Sequence, residues 1–310
     1  MAFDDRYHEQ VRLLVSVLPF LNDEPCFALK GGTAINLFMQ PFPRLSIDID
    51  LVYLPLESRN DALKNSRRAL ARLAAAVTTR VPDARAELQV NRPDELRVLV
   101  RNSRGQIKIE VSPVMRGTVH PPEIRDVVEA VENLYGFAAV QVVSLPDLYG
   151  GKLCAALDRQ HPRDLFDVRG LLDERGLDRS VFEGFLVYLL CHPRPINEVI
   201  NPRLKAIDTV YREEFIGMTR NDIPLSVLEN TRLELRKQLG QFLTEIDVRF
   251  LLSFKQGNPD WSLSPIPGIE RLPAVRWKLY NIKAMPSEKR REGWFRLQQA
   301  LEETLIHSRA

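Results

Sequence analysis

Two short runs carry groups able to hold a nucleotide and its metal ion. The first is Lys30-Gly31-Gly32-Thr33 and the second is Arg44-Leu45-Ser46-Ile47-Asp48-Ile49-Asp50-Leu51. Adjacent glycines let the backbone approach phosphates with no Cβ in the way, and the free N–H groups of a helix beginning there face the anion. In a strand the side chains alternate, so Asp48 and Asp50 project together, about 7 Å apart, while Ile47, Ile49 and Leu51 face the core. Paired carboxylates of this kind suit Mg²⁺, a hard cation that also takes substrate phosphates as ligands. The chemistry suggested is phosphoryl or nucleotidyl transfer.

Each feature has a plainer reading. Gly-Gly-Thr before a helix is also a common turn with a threonine cap. Two acids sharing a strand face also mark a solvated edge, but Ile47, Ile49, Leu51, Val52 and Leu54 predict a buried strand. Buried strands seldom carry two acids, because desolvating each is costly unless a cation compensates. Turn and acids together therefore favour a site. Further along, Lys108 and Glu110 share the face opposite Ile107, Ile109 and Val111. If that strand lies beside the Asp48 strand, Glu110 completes a triad of acids around two metals; otherwise it is a surface acid paired with Lys108. Lys152, then Asp164 and Asp167 one helical turn apart, would border one interhelical region, or else Lys152 snorkels to solvent and the acids pair with Arg163 and Arg169.

The elements that must position these groups follow from periodicity. Val11, Leu14, Leu18 and Leu21 predict an amphipathic helix over about 5–21, packed on a sheet. The glycine turn leads into a short helix through Met39, a Pro41-Phe42-Pro43 break, a strand over 47–54 and a long helix over about 59–77. Three alternating segments follow (Ala86, Leu88, Val90; Leu96, Val98, Val100; Ile107, Ile109, Val111). With turn signals at Asn91-Arg92-Pro93-Asp94 and Asn102-Ser103-Arg104-Gly105, they predict an antiparallel meander. A strand over about 138–143 precedes a domain boundary, giving domains 1–145 and 146–310. The helix after it contains Gly150-Gly151, each glycine costing about 1 kcal/mol relative to alanine, so something must approach that surface closely. Beyond Ser180 the chain reads as mainly helical, closing on a basic helix from about Pro286.

The 310 residues, 45% hydrophobic and 27% charged, suffice for a full core and two domains. The net charge of +2 conceals basic stretches over 59–104 and 278–296, which suit an anionic polymer or a solvated helix face equally. No apolar stretch approaches a bilayer span, and Met1-Ala2-Phe3-Asp4-Asp5 shows no signal pattern, so a cytoplasmic protein without a membrane partner is expected. Cys26, Cys154 and Cys191 lack metal-ligand spacing and read as reduced core residues.

The chain resembles the AbiEii toxin family of nucleotidyltransferases, the toxin half of type IV toxin–antitoxin and phage-defence pairs. The resemblance rests on Lys30-Gly31-Gly32-Thr33, Arg44-x-Ser46-x-Asp48-x-Asp50, Lys108-x-Glu110, and the Lys152 helix followed by Arg163-Asp164-x-x-Asp167, and it spans most of the chain. It implies an α+β fold: a polymerase-β-like mixed sheet flanked by helices, with a mainly helical C-terminal domain completing the active site. Asp48 and Asp50 resemble the metal-binding acids. Gly31, Gly32 and Thr33 resemble the triphosphate-binding turn, with threonine in place of the usual serine. Lys152 resembles the lysine expected near the nucleotide phosphates. Asp167 resembles the downstream catalytic acid, with Asp164 the alternative.

What the resemblance implies is an Mg²⁺-dependent transfer of a nucleoside monophosphate from an NTP to an RNA hydroxyl, the 3′ end of tRNA being the acceptor it points to. Glu110, Asp164 or Asp167 would bind a second ion or accept the proton of the nucleophile. It also implies a winged-helix antitoxin encoded nearby. Two other readings stay open: transfer to a protein or small-molecule hydroxyl, and a nucleotide-binding module without turnover.

Overall fold

The computed structural model describes residues 5–92 and 94–309; Met1 to Asp4, Pro93 and Ala310 lie outside the described residues. The chain divides into two compact units, one formed by the sequence up to Ser144 together with Ile216–Asp222, the other by Leu145–Phe215 and the sequence from Ile223 onward.

The first unit opens with α1 (Asp5–Val17), whose Val11, Leu14 and Val17 are fully buried and which packs on the sheet. The helix stops earlier than the apolar spacing predicts, because Pro19 cannot donate within an α-helix and its ring clashes with the preceding turn. Leu18–Asp23 continues as a 3₁₀ segment that still buries Leu18 and Leu21. Then come β1 (Phe27–Lys30), α2 (Gly31–Ala34) and a π-helical turn over Ile35–Met39. After these, β2 (Asp48–Tyr53) leads to α3 (Arg59–Arg80), started by Ser58, whose hydroxyl accepts from Asp61 N. The unit's main run ends with β3 (Arg85–Gln89), β4 (Arg97–Arg101), β5 (Gln106–Arg116), β6 (Glu123–Asp126), α4 (Glu129–Tyr135) and β7 (Ala139–Val142).

These strands form one mixed seven-stranded sheet in the order β3-β4-β5-β2-β1-β7-β6. The antiparallel meander β3-β4-β5 is as expected, although β3 is a half-buried edge and Val90 lies beyond it, 70% exposed. β2 sits between β1, antiparallel, and β5, parallel. Its Ile49 and Leu51 are fully buried, which fixes the opposite face for Asp48 and Asp50. Ile216–Asp222 returns to this unit: Leu45 N donates to Met218 O (2.9 Å) and Arg220 N to Pro43 O (2.9 Å), so it braces the stretch leading into β2.

The second unit is helical: α5 (Leu145–Arg159), α6 (Pro162–Glu174), α7 (Arg179–Cys191), α8 (Ile196–Ile200), α9 (Asp208–Glu214), α10 (Leu225–Phe242), α11 (Glu245–Lys255), α12 (Pro273–Ala284) and α13 (Ser287–Arg309). The close approach expected at Gly150 is α7. A Cβ on Gly150 would stand 2.6 Å from Gly184 C, and one on Gly184 would stand 2.4 Å from Pro146 O. Gly150 thus serves a backbone-to-backbone helix crossing, while Gly151 leaves room for the ring of Tyr188. Cys154 and Cys191 are buried as expected, whereas Cys26 is only half-buried. Among the described residues no helix is long and apolar enough to cross a membrane.

Candidate active site

In the first unit the glycine turn and the two acids meet. Gly31 adopts φ +77°, a left-handed conformation that side chains disfavour. A Cβ there would stand 2.6 Å from Asp50 Oδ2 and 3.1 Å from Asp50 Cβ. The pairing of β1 with β2 sets Lys30 opposite Asp50, so the turn leaves β1 directly against that carboxylate. At Gly32 a Cβ would stand 2.7 Å from Arg44 Nη2 and 3.0 Å from Ser46 Oγ. The second glycine therefore leaves space for the guanidinium of Arg44, which is 4% exposed. Thr33 is buried; its hydroxyl donates to Asp48 O and lies 3.0 Å from Ser46 Oγ. That hydroxyl ties the turn to the start of β2.

The register of β2 with β5 sets Asp50 opposite Glu110 and Asp48 opposite Lys108. The strand neighbourhood that would make Glu110 a third acid is thus present, and so is the ion pair of the plainer reading. Lys108 Nζ lies 3.0 Å from Glu110 Oε2 and 3.6 Å from Asp48 Oδ2, and Arg97 reaches Glu110 Oε1 at 2.5 Å. Burial pushes the Glu110 carboxyl up, but Lys108 and Arg97 outweigh it and the net shift is downward. Burial likewise pulls Lys108 down, and Glu110 and Asp48 more than restore it. Both stay charged at neutral pH. Among the described residues no three His, Cys, Asp or Glu side chains already stand close enough together to hold a metal ion. Asp48 and Asp50 still fit one: they offer hard oxygen donors on a single face, the Asp48 side chain is 42% exposed, and Asp50 opens on a cavity. That cavity, about 670 Å³, is lined by Lys30, Asp50, Arg92, Arg97, Glu110 and Ser112 among others.

Lys152, Asp164 and Asp167 come together in the second unit. Lys152 is not a snorkelling surface lysine. It is 8% exposed on α5, and its Nζ lies 2.8 Å from Asp164 Oδ1 and 2.9 Å from Asp167 Oδ2 on α6. Arg159 adds a second cation to Asp164 at 2.8 Å, while Arg169 turns to Asp173 instead. Burial raises the Asp164 carboxyl, and Lys152 followed by Arg159 brings it below the usual range. Asp167 is fully buried, Asp164 3% exposed.

Reasoning from the sequence missed the cations that accompany the acids: Lys30, Arg44 and Arg97. Lys30 and Arg44 stand inside the quoted motifs, and Arg97 alternates with buried Val98, so their faces were readable. Their partners depend on strand register, which the sequence does not state.

The family model described as nucleotidyl transferase AbiEii toxin, type IV toxin–antitoxin system, matches residues 12–275. Among solved structures, the fold is similar to MenT4, a nucleotidyltransferase toxin from Mycobacterium tuberculosis H37Rv. That match has 14% identity and a TM-score of 0.56, covering 98% of this chain and 94% of that one. Terminal uridylyl transferase 4 from Trypanosoma brucei with bound dUTP aligns at 13% identity over 97% of this chain and 99% of that one, with a TM-score of 0.28, too low to bear on the fold. No curated protein sequence matches. A mixed sheet with a glycine turn set against two strand acids, under a family match that spans most of the sequence, makes this chain a member of the AbiEii nucleotidyltransferase toxin family of type IV toxin–antitoxin systems.

Proposed function

We propose that the protein transfers a nucleoside monophosphate from an NTP to a hydroxyl of RNA, with the 3′ end of tRNA as acceptor. The observation that carries the reading is the approach of Gly31 to Asp50, which a Cβ at position 31 would crowd. Asp48 and Asp50 would hold Mg²⁺, which when bound offsets charge on the triphosphate. The N–H groups of the turn at Gly31 and Gly32 cradle phosphate oxygens, and Lys30 and Arg44 supply fixed positive charge beside them. The acceptor hydroxyl attacks the α-phosphorus, the bond to the β-phosphate oxygen breaks, pyrophosphate leaves, and the hydroxyl proton passes to a carboxylate. Glu110, ionised and lining the Asp50 cavity, is the acid of this unit placed to take it. Lys152, Asp164 and Asp167 belong to the proposal as groups on which activity depends. Asp167, fully enclosed, acts by fixing Lys152 rather than by touching substrate.

Type IV membership implies an antitoxin partner, and we take it to be a winged-helix protein encoded beside this chain. Incubating pure protein and Mg²⁺ with total RNA and each α-labelled NTP tests the activity. A labelled band at tRNA size is expected with one NTP or a subset. Label running with protein, or no labelled RNA with any NTP, would remove the RNA reading.

A further inference from the structure

In the second unit the first turns of α13 border an open cavity of about 230 Å³ lined by Gln256, Ser287, Arg290, Arg291 and Trp294. Gln256, Ser287, Arg290 and Arg291 offer hydrogen-bond donors, and no lining residue is acidic. Trp294 lines it as an apolar wall, its indole N–H buried away from solvent. No described carboxylate lies within 4.0 Å of Arg290, Arg291 or Lys255; the neighbouring acid Glu292 is engaged with Arg296 at 3.6 Å.

Next in sequence to Gln256 is Lys255, 8% exposed, and a Cβ on Gly293, the neighbour of Trp294, would meet its Nζ at 2.8 Å. Burial pulls Lys255 down, and the charge of Arg296 adds to it. Lys278 is drawn down to about 8, by burial first and by Lys255 second. These cations make the local field positive, offset in part by Glu288 in the first turn of α13. The N-terminus of α13, 23 residues long, reinforces it.

We propose that this cavity binds a phosphate group, and that the phosphate it takes is a backbone phosphodiester of the RNA acceptor; the choice of polymer rests on the RNA reading above. A phosphate with its remaining waters fits such a volume, given about 30 Å³ per water. The neighbouring surface suits an unpaired nucleotide. Arg290 donates to the carbonyl of Lys283 on α12 (3.3 Å), and one turn back from Lys283 lies Tyr280, stacked on Trp277 with centroids 5.7 Å apart and planes at 15°. Both rings are exposed, at 64% and 58%. α12 carries Arg276, Lys278 and Lys283 and no acid. A flat aromatic face beside a cationic pocket is how single strands are held without sequence readout.

The test compares the full-length protein with Arg290→Gln and Arg291→Gln, measuring affinity for labelled tRNA across a salt series and thermal stability in inorganic phosphate against chloride of equal ionic strength. Each variant is expected to weaken RNA binding roughly tenfold, as for one charge-assisted hydrogen bond. Arg291→Gln should also flatten the salt dependence by about 0.7 to 0.9 in log–log slope. Phosphate should stabilise the wild type and not Arg291→Gln. Unchanged RNA affinity in both variants overturns the proposal. A phosphate effect without an RNA effect overturns the RNA assignment, as does loss of antitoxin binding alone. If the wild type neither binds nor labels RNA, the functional reading fails first, and the phosphate measurement still decides the cavity.

Discussion

Replacing Gly31 with alanine strikes the contact between turn and acid with a single methyl group. The residue sits at φ +77°, where a Cβ costs about 1 to 2 kcal/mol in backbone strain. The new methyl would also lie 2.6 Å from Asp50 Oδ2 and 3.1 Å from Asp50 Cβ. Rotating the aspartate relieves the first contact. It cannot relieve the second, because the Asp50 Cβ is fixed by β2, so turn and strand must part by several tenths of an ångström. Crowding of this sort costs about 1 to 3 kcal/mol more. The matched control is Gly176→Ala: φ is +72°, and nothing lies within 4 Å of its Cβ position. That variant carries the backbone strain alone. Urea unfolding should therefore show both variants destabilised, with Gly31→Ala the worse. Labelled-NTP incorporation should fall roughly 100-fold for Gly31→Ala, the cost of misplacing reacting groups by about 1 Å, and stay near wild type for Gly176→Ala. Incorporation by Gly31→Ala within a few-fold of wild type would refute the argument that the turn and Asp50 work as one site.

Two further outcomes follow from the ion pairs. Lys152→Met leaves Asp167 enclosed without its cation, a loss of about 3 to 5 kcal/mol measurable by urea unfolding, and adding Asp167→Asn should recover part of it; equal stability of Lys152→Met and wild type would contradict the pairing. Asp164 and Asp247 are both held below the ordinary carboxyl range against the opposing effect of burial, Asp164 by Lys152 and Arg159, Asp247 by Arg179 and Thr244. The unfolded chain takes up protons first, so their contribution is complete above about pH 4 and drains away as pH falls through the depressed native values. An acid-unfolding series should show Asp247→Asn flattening that limb. The same slope in wild type and variant would remove Asp247 from the account.

Much of this arrangement was legible in the sequence because it rests on local rules. Alternation alone set Asp48 and Asp50 on one face and Ile49 and Leu51 on the other, and the turn signals separated β3, β4 and β5. The helices expected from about 59 and about Pro286 start at Arg59 and Ser287. What sequence could not supply was pairing at a distance. Whether Glu110 faces Asp50 depends on β5 lying parallel to β2, and that lateral order brings in Lys108 and Arg97 as well. Thr33 carries the hydroxyl expected of a phosphate turn, yet the β1–β2 packing directs it to the backbone of Asp48. Gly150 signalled a close approach, and only the fold identifies the visitor as Gly184. The return of Ile216–Asp222 to the first unit has no local signal at all, since two backbone hydrogen bonds, bridging Arg44 and Thr219, define it.

The account stands on Asp48 and Asp50 acting with the Gly31 turn in nucleotidyl transfer. The most direct measurement is incorporation of labelled NTP into RNA by purified wild type, Asp48→Asn and Asp50→Asn, each checked for native unfolding behaviour. Incorporation by the wild type and its loss in both folded variants is the expected result. Undiminished incorporation by either folded variant would contradict the account.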